Sequence, residues 1–171
     1  MKSSVLVTGG TGALGTAVTI RLLNEGYRVA ATWVHEQEVA RLIEEAGNPD
    51  LICVNADVTD PLSIDEAIRE TEVRQGPIAG LVHLVGAWSG GSLTHDHSLE
   101  TWNEMLDLNL TSAFLCCRAV LPGMIERDRG RMVLVSSRTA EQERSGQVGY
   151  AVAKAGLQVL AETIVRTGLL T

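Results

Sequence analysis

Apolar residues along this chain fall into two alternating rhythms. Short runs rich in β-branched residues are separated by longer stretches whose apolar positions recur at helical spacing. The first run, Ser4-Val5-Leu6-Val7, predicts a buried parallel strand. Residues 13–25 then place Leu14, Ala17, Val18, Leu22 and Leu23 on a helical pattern, and Gly26 stops it. A second strand is expected at 27–33 and a helix at 35–46, ended by Gly47-Asn48-Pro49. A third strand follows at 51–54. Asp60-Pro61 opens the next helix, with Asp as N-cap and Pro in the first helical position. A fourth strand is expected at 78–85, entered through Gly76-Pro77 and followed by a flexible stretch at 86–92. Ser98 caps a helix running through Trp102 to about Asn109, and a second helical stretch spans 111–127 with a kink at Pro122. Gly130 precedes a fifth strand at 131–136, and a polar loop leads to a last helix at 149–166.

Strands alternating with helices over short connections predict a parallel sheet covered on both faces. The expected fold is α/β: a Rossmann-like, doubly wound sheet in three layers, α/β/α, with right-handed crossovers. A chain of 171 residues fits one domain over residues 1–171. A ligand is expected beyond the carboxyl ends of the strands, where the strand order switches.

Composition narrows the partners. Apolar residues make up 45% and charged residues 20% of the chain, an ordinary globular balance. A net charge of −7 argues against a nucleic-acid partner. The apolar runs are broken by charges within about ten residues, which predicts no membrane span, and no signal peptide is visible at the N-terminus. Cys53, Cys116 and Cys117 fall inside predicted elements without pairing logic, so reduced thiols and a cytoplasmic home are expected.

Between the first strand and the first helix lies Thr8-Gly9-Gly10-Thr11-Gly12-Ala13-Leu14-Gly15. Missing side chains let such a loop turn tightly and approach a pyrophosphate, and the helix start supplies N–H donors and the positive end of a dipole. Nicotinamide folds often hold an acid at the end of the second strand, on the ribose 2′-hydroxyl of NAD. Here that end reads Thr32-Trp33-Val34-His35, with no acid before Glu36 and no Arg or Lys for a 2′-phosphate. NADP(H) is therefore permitted but not selected. Trp33 is placed either to stack on adenine or simply to pack.

Tyr150 and Lys154 are four residues apart on the last helix and face the same way. A neighbouring ammonium favours a phenolate, as a tyrosine acid/base at neutral pH requires. Ser137 stands at the carboxyl end of the fifth strand, where its hydroxyl can hold a substrate carbonyl against Tyr150.

These residues together resemble the short-chain dehydrogenase/reductase family over nearly the whole chain: the 8–15 loop, Asp57-Val58 after the third strand, Asn109 in Leu108-Asn109-Leu110, Ser137, and Tyr150 with Lys154. The segment 102–137 is especially similar, with Phe114, Pro122, Met124 and Gly130-Arg131. The resemblance implies an NAD(P)(H)-dependent oxidoreductase acting on an alcohol/carbonyl pair of a small molecule. It implies a tetrad of Asn109, Ser137, Tyr150 and Lys154. Tyr150 would exchange a proton with the substrate oxygen, Ser137 orient that oxygen, Lys154 bind the nicotinamide ribose and favour the phenolate, and Asn109 hold a water leading to solvent. The cofactor would lie on Gly9, Thr11, Gly12, Ala13, Leu14 and Gly15, with Trp33, Asp57 and Val58 near the adenine and Gly86 near a ribose. Helices 98–127 and 149–166 would build a homo-oligomer interface.

Three departures from the family pattern matter. Ala13 stands where many members have glycine, and Gly9-x-x-Gly12-x-x-Gly15 is the spacing of the family's longer members. An Asn-Asn-Ala-Gly run after the fourth strand is replaced by His83-Leu84-Val85-Gly86, so His83 either takes over a sheet-bracing role or is a satisfied core histidine. Typical members run to roughly 250 residues, as large single α/β domains can, whereas this chain stops at Thr171. The family's last strands and substrate-covering helices are then expected to be absent. The fifth strand would become an apolar edge needing water, the last helix or another chain. A dinucleotide-binding module without turnover is the competing reading. His95-Asp96-His97 is read as a solvated loop with no metal, Cys116-Cys117 as packing, and the run 138–144 and Trp88 as solvated or bordering the substrate pocket.

Overall fold

The computed structural model describes residues 2–141 and 145–165. Its core is a five-stranded parallel sheet built from β1 (Ser4–Thr8), β2 (Arg28–Trp33), β3 (Leu51–Asn55), β4 (Ile78–His83) and β5 (Arg131–Leu134), in the order β3-β2-β1-β4-β5. The chain winds from β1 outwards to β3, then returns to β4 on the other side of β1. A crevice therefore opens beyond β1 and β4.

Alternation along β1 shows how both faces are covered. Val5 and Val7 point to one face, where they pack with Val18, Leu22 and Leu23 of α1 (Ala13–Asn24) and Ala46 of α2 (Glu36–Ala46). Leu6 points to the other, with Ile64 and Ala67 of α3 (Pro61–Gln75) and Leu115, Cys116 and Val120 of α5 (Ser112–Glu126). Local signals place the ends. The Asp60 side chain accepts from the Leu62 N–H above Pro61, a cap that stabilises α3 by about 1 kcal/mol. Gly47 closes α2 in the left-handed region, at φ 51°.

Two strands end earlier than expected. β4 stops at His83, not Val85, and β5 at Leu134, not Ser136. The cause is loss of neighbours. The ladder between β1 and β4 ends at Thr8 opposite His83, where β1 turns into the glycine loop, and among the described residues β5 pairs only with β4, ending at Leu134 opposite His83. β5 is thus an edge strand, with Val133 52% exposed.

The two expected helices around residue 110 are continuous. α4 (Leu99–Leu106) passes through a π-helical turn, Asp107–Thr111, into α5, and α5 runs through Pro122 to Glu126. The joined helix, Leu99–Glu126, has the length and composition of a membrane span. This corrects the expectation drawn from shorter runs. Its inward side is that of a core helix: Met105, Asn109, Ala113, Cys116, Cys117 and Met124 are all buried. Cys116 and Cys117 are packing residues as expected, while Cys53 on β3 is only partly buried.

α6 (Val148–Ile164) packs against α4 and the π turn. Arg166, expected in this helix, lies outside the described residues, as do Gln142, Glu143 and Arg144 of the preceding loop.

Leu81 sits in the middle of β4 and is fully buried. Leu81→Ala is expected to cost about 2–5 kcal/mol of unfolding free energy, read from a urea titration by far-UV circular dichroism. A loss under about 1 kcal/mol would show that this part of the sheet is not the packed core described here.

Candidate active site

The glycine loop leaves β1 at Thr8 and enters α1 at Ala13. Gly9 has φ 68°, a region costly for a residue with a Cβ. A Cβ on Gly15 would stand 2.0 Å from the Gly9 carbonyl oxygen, and one on Gly10 would stand 2.6 Å from the Ala31 Cβ. These two glycines let the loop fold onto α1 and β2. Gly12 is different: a Cβ there meets only the Gly9 oxygen, at 3.5 Å, so this position is open.

The loop borders a cavity of about 530 Å³ at the tips of β1, β2 and β4. Gly9, Thr11, Gly12, Trp33, Asp57, Val58 and Gly86 of the expected cofactor set line it. Gly15 acts by packing instead, and Ala13 and Leu14 are exposed on the first turn of α1, outside that lining. Val58 is 5% exposed and its side chain belongs to the core, which leaves little of it for a ligand. Asp57 accepts from the backbone N–H and the hydroxyl of Thr59, and these bonds hold its carboxyl below the usual range.

One acid reaches this cavity from an unexpected element. The first turns of α2 carry Glu38 back over the loop, where its Oε2 accepts from the Thr11 hydroxyl at 2.7 Å. Arg41, one turn further on, donates to the Thr11 carbonyl at 2.8 Å. The strand-end pattern misses both because they lie in the following helix. Their spacing of three residues, on one helical face, is the only signal the sequence carries.

At the other end, Gly86 adjoins Asn109 and Lys154, two of the four residues expected to form a tetrad. A Cβ on Gly86 would lie 2.6 Å from Asn109 Oδ1 and 3.2 Å from Lys154 Nζ. Asn109 is fully buried in the π turn, and its Nδ2 donates to the Ala87 carbonyl at 2.8 Å and the Met105 carbonyl at 3.0 Å. Its Oδ1 is buried without a hydrogen-bond partner, an arrangement that points to a ligand or water at a functional site. Lys154 is 6% exposed, donates to the Val135 carbonyl at 2.9 Å, and lies 5.8 Å from the centre of the Tyr150 ring. Burial pushes the Lys154 amine down. Ser137 caps a short 3₁₀ turn, Arg138–Ala140, and its oxygen accepts from the Thr139 N–H and hydroxyl. Its own proton is left for another acceptor.

His83 joins these parts. It is 1% exposed, with Nδ1 2.8 Å from the Thr8 hydroxyl and Nε2 3.2 Å from the Ser112 hydroxyl. Ser112 donates to the Leu108 carbonyl. Its oxygen therefore accepts from Nε2–H, leaving Nδ1 to accept from Thr8. A neutral imidazole thus ties the base of the glycine loop to the turn holding Asn109. Among the described residues, no three His, Cys, Asp or Glu side chains gather as a metal site. His95 pairs with exposed Asp96, and His97 bonds Ser92.

The arrangement fits a dinucleotide: an open glycine at a helix start, a cavity across the strand tips, and a glycine beside an unpartnered amide oxygen and a buried ammonium. The family model described as short chain dehydrogenase matches residues 3–168. This chain belongs to the short-chain dehydrogenase family. Members of this family are NAD(P)-dependent oxidoreductases. The chain is 32% identical to the acetoacetyl-CoA reductase of Rhizobium meliloti (strain 1021), over 98% of this chain and 68% of the relative. It is also 32% identical to an NADP-dependent 3-hydroxy acid dehydrogenase of Shigella flexneri, over 88% of this chain and 60% of that protein. It thus spans about two thirds of the length of the curated relatives it matches. The crystal structure of an actinorhodin polyketide ketoreductase variant with NADPH superposes with a TM-score of 0.89 at 29% identity, covering 99% of this chain and 67% of the other. The short-chain dehydrogenase fold expected from the motifs is therefore present.

Burial, with the Lys154 ammonium nearby, pushes the His83 imidazole down to about 4, against 6.5 for an ordinary histidine. Between those values the unfolded chain binds a proton that the folded chain refuses. Stability is full above about 6.5 and is lost as pH falls towards about 4, by up to roughly 3 kcal/mol. Urea midpoints between pH 7 and pH 4.5 are expected to fall more steeply for the wild type than for His83→Asn. Parallel slopes would rule out this imidazole as the cause.

Proposed function

We propose that this chain is the dinucleotide-binding domain of an NAD(P)(H)-dependent oxidoreductase that interconverts an alcohol and a carbonyl on a small molecule, with Tyr150 as general acid/base. The observation that carries the reading is the junction at Gly86. There the cavity beginning at the glycine loop meets Asn109 and Lys154.

Gly9, Thr11 and Gly12 would hold the diphosphate, helped by the N–H groups opening α1. Trp33 and Asp57 would border the adenosine, and Gly86 would let a ribose approach the Lys154 ammonium. When bound, the nicotinamide supplies a hydride to the carbonyl carbon, or takes one from the alcohol carbon in the reverse direction. Tyr150 gives its proton to the carbonyl oxygen, or removes it from the hydroxyl in reverse. Lys154 stabilises the phenolate left behind. Ser137 donates to the same oxygen and orients it. Asn109, fixed by the π turn, holds a water that returns protons to Lys154.

The chain would work as a homo-oligomer in the cytoplasm. Exposed Phe114 on α5 and exposed Val152 and Val159 on α6 support an interface through helices 98–127 and 149–166. A second reading is a dinucleotide-binding module without turnover. It rests on the glycine loop and the cavity alone, which account for cofactor binding without any proton transfer.

The two readings separate in one experiment. With reduced cofactor and a panel of small ketones, the wild type is expected to oxidise cofactor, followed by its near-ultraviolet absorbance. Tyr150→Phe should lower that rate about 10²–10⁴-fold while cofactor affinity changes less than about threefold. Tryptophan quenching by cofactor without oxidation by the wild type would establish the module instead. A variant as fast as the wild type would remove Tyr150 from the chemistry.

A further inference from the structure

The adenosine end of the cavity carries a carboxylate that the strand-end pattern lacks. Glu38 comes from α2, lines the same cavity as Trp33, Val34 and Asp57, and is fixed there by the Thr11 hydroxyl at 2.7 Å. From this geometry we propose that Glu38 is the residue that reads the cofactor's 2′ position, and that it selects NAD(H) over NADP(H). The inference rests on the dinucleotide reading above and deepens it.

The physical case has three parts. First, a carboxylate accepts hydrogen bonds from vicinal ribose hydroxyls, and the same group repels a 2′-phosphate. Second, the position is held. The Thr11 bond anchors Glu38 Oε2 beside the loop on which the diphosphate would rest, leaving Oε1 for a ligand. Third, the nearest cation is engaged elsewhere. Arg41 spends Nη2 on the Thr11 carbonyl at 2.8 Å, its Nε lies 3.9 Å from Glu45, and it stands outside the cavity lining. With Asp57 in the same lining, the cavity carries two acids and no cation among its lining residues. The 3-hydroxy acid dehydrogenase relative is named as NADP-dependent and the superposed ketoreductase holds NADPH. The proposed preference for NAD(H) would set this chain apart from both.

The test measures binding, not turnover. Dissociation constants for NADH and NADPH are taken on the purified chain by quenching of tryptophan fluorescence, since Trp33 lines the site, with calorimetry as a check. The wild type is expected to bind NADH about tenfold or more tightly than NADPH at low salt. The gap should narrow towards about 0.5 M salt as the repulsion is screened. Glu38→Gln keeps the size of the side chain and its acceptor for Thr11. It is expected to tighten NADPH about tenfold and to leave NADH equal or weaker. Glu38→Ala should shift the ratio in the same direction, and circular dichroism confirms that both variants fold. A ratio unmoved by either substitution overturns the inference while the dinucleotide reading stands. Wild-type preference for NADPH also overturns it and gives the choice to Arg41. Failure of both nucleotides to bind the folded wild type overturns the dinucleotide reading and this inference with it.

Discussion

The site depends on how the tips of β1 and β4 are tied together. Thr8 is the last residue of β1, and the next residue already adopts the left-handed turn of the glycine loop. The Thr8 carbonyl still accepts from the Leu84 N–H, which carries the ladder one step past the end of β4. Its hydroxyl donates to His83, and the imidazole passes the connection through Ser112 to the carbonyl of Leu108. A buried hydroxyl or ring nitrogen without a partner would cost about 1–3 kcal/mol. The chain of bonds fixes one relative position for the loop, the strand and the π turn. The loop and Asn109 are far apart in the sequence, yet they share this one brace.

Burial of Lys154 follows from the same constraint. A lysine that is 6% exposed is held on the Val135 carbonyl, just past β5, because α6 lies against α4 and the π turn. Desolvation disfavours its charged form. The Val135 carbonyl offsets part of that penalty. The π turn contributes by turning Asn109 inward, where its amide N–H groups bind Ala87 and Met105 and its oxygen stays open.

Much of the architecture was legible because short β-branched runs and helical periodicity alternate without interruption. Among the described residues, five strands and six helices occupy the places that alternation gives them, apart from their ends and the join between α4 and α5. The π turn reads as a break because a widened helical turn disturbs the 3.6-residue rhythm without ending the helix. β4 and β5 end before their apolar patterns do, because apolar residues continue past the last paired neighbour and a sequence does not reveal where a partner stops. Asn109, Lys154 and Gly86 were legible as motif positions and the structure does bring them together. Glu38 was legible only as an acid sharing a helical face with Arg41, not as a residue of the cavity. Its nearness to Thr11 is set by how α2 folds back from β2, which is a tertiary fact. His83 was legible only as a departure, and the choice between brace and inert core residue needed Ser112, twenty-nine residues away.

The charges around the cavity make sense only as a graded set. Two acids, Glu38 and Asp57, stand at the adenosine end, the dipole of α1 opens at the glycine loop, and Lys154 lies past Gly86 at the far end. An anion entering such a cavity is repelled at one end and attracted at the middle and the other. A diphosphate flanked by a neutral ribose on one side and a ribose near an ammonium on the other matches that gradient. A ligand with a further phosphate on the adenosine side does not. On the proposed reading the same gradient favours one orientation of the dinucleotide, with its adenosine beside the acids and its nicotinamide ribose beside the Lys154 ammonium. The electrostatic layout would then do more than hold a cofactor in place, because it would decide which end of it reaches Tyr150.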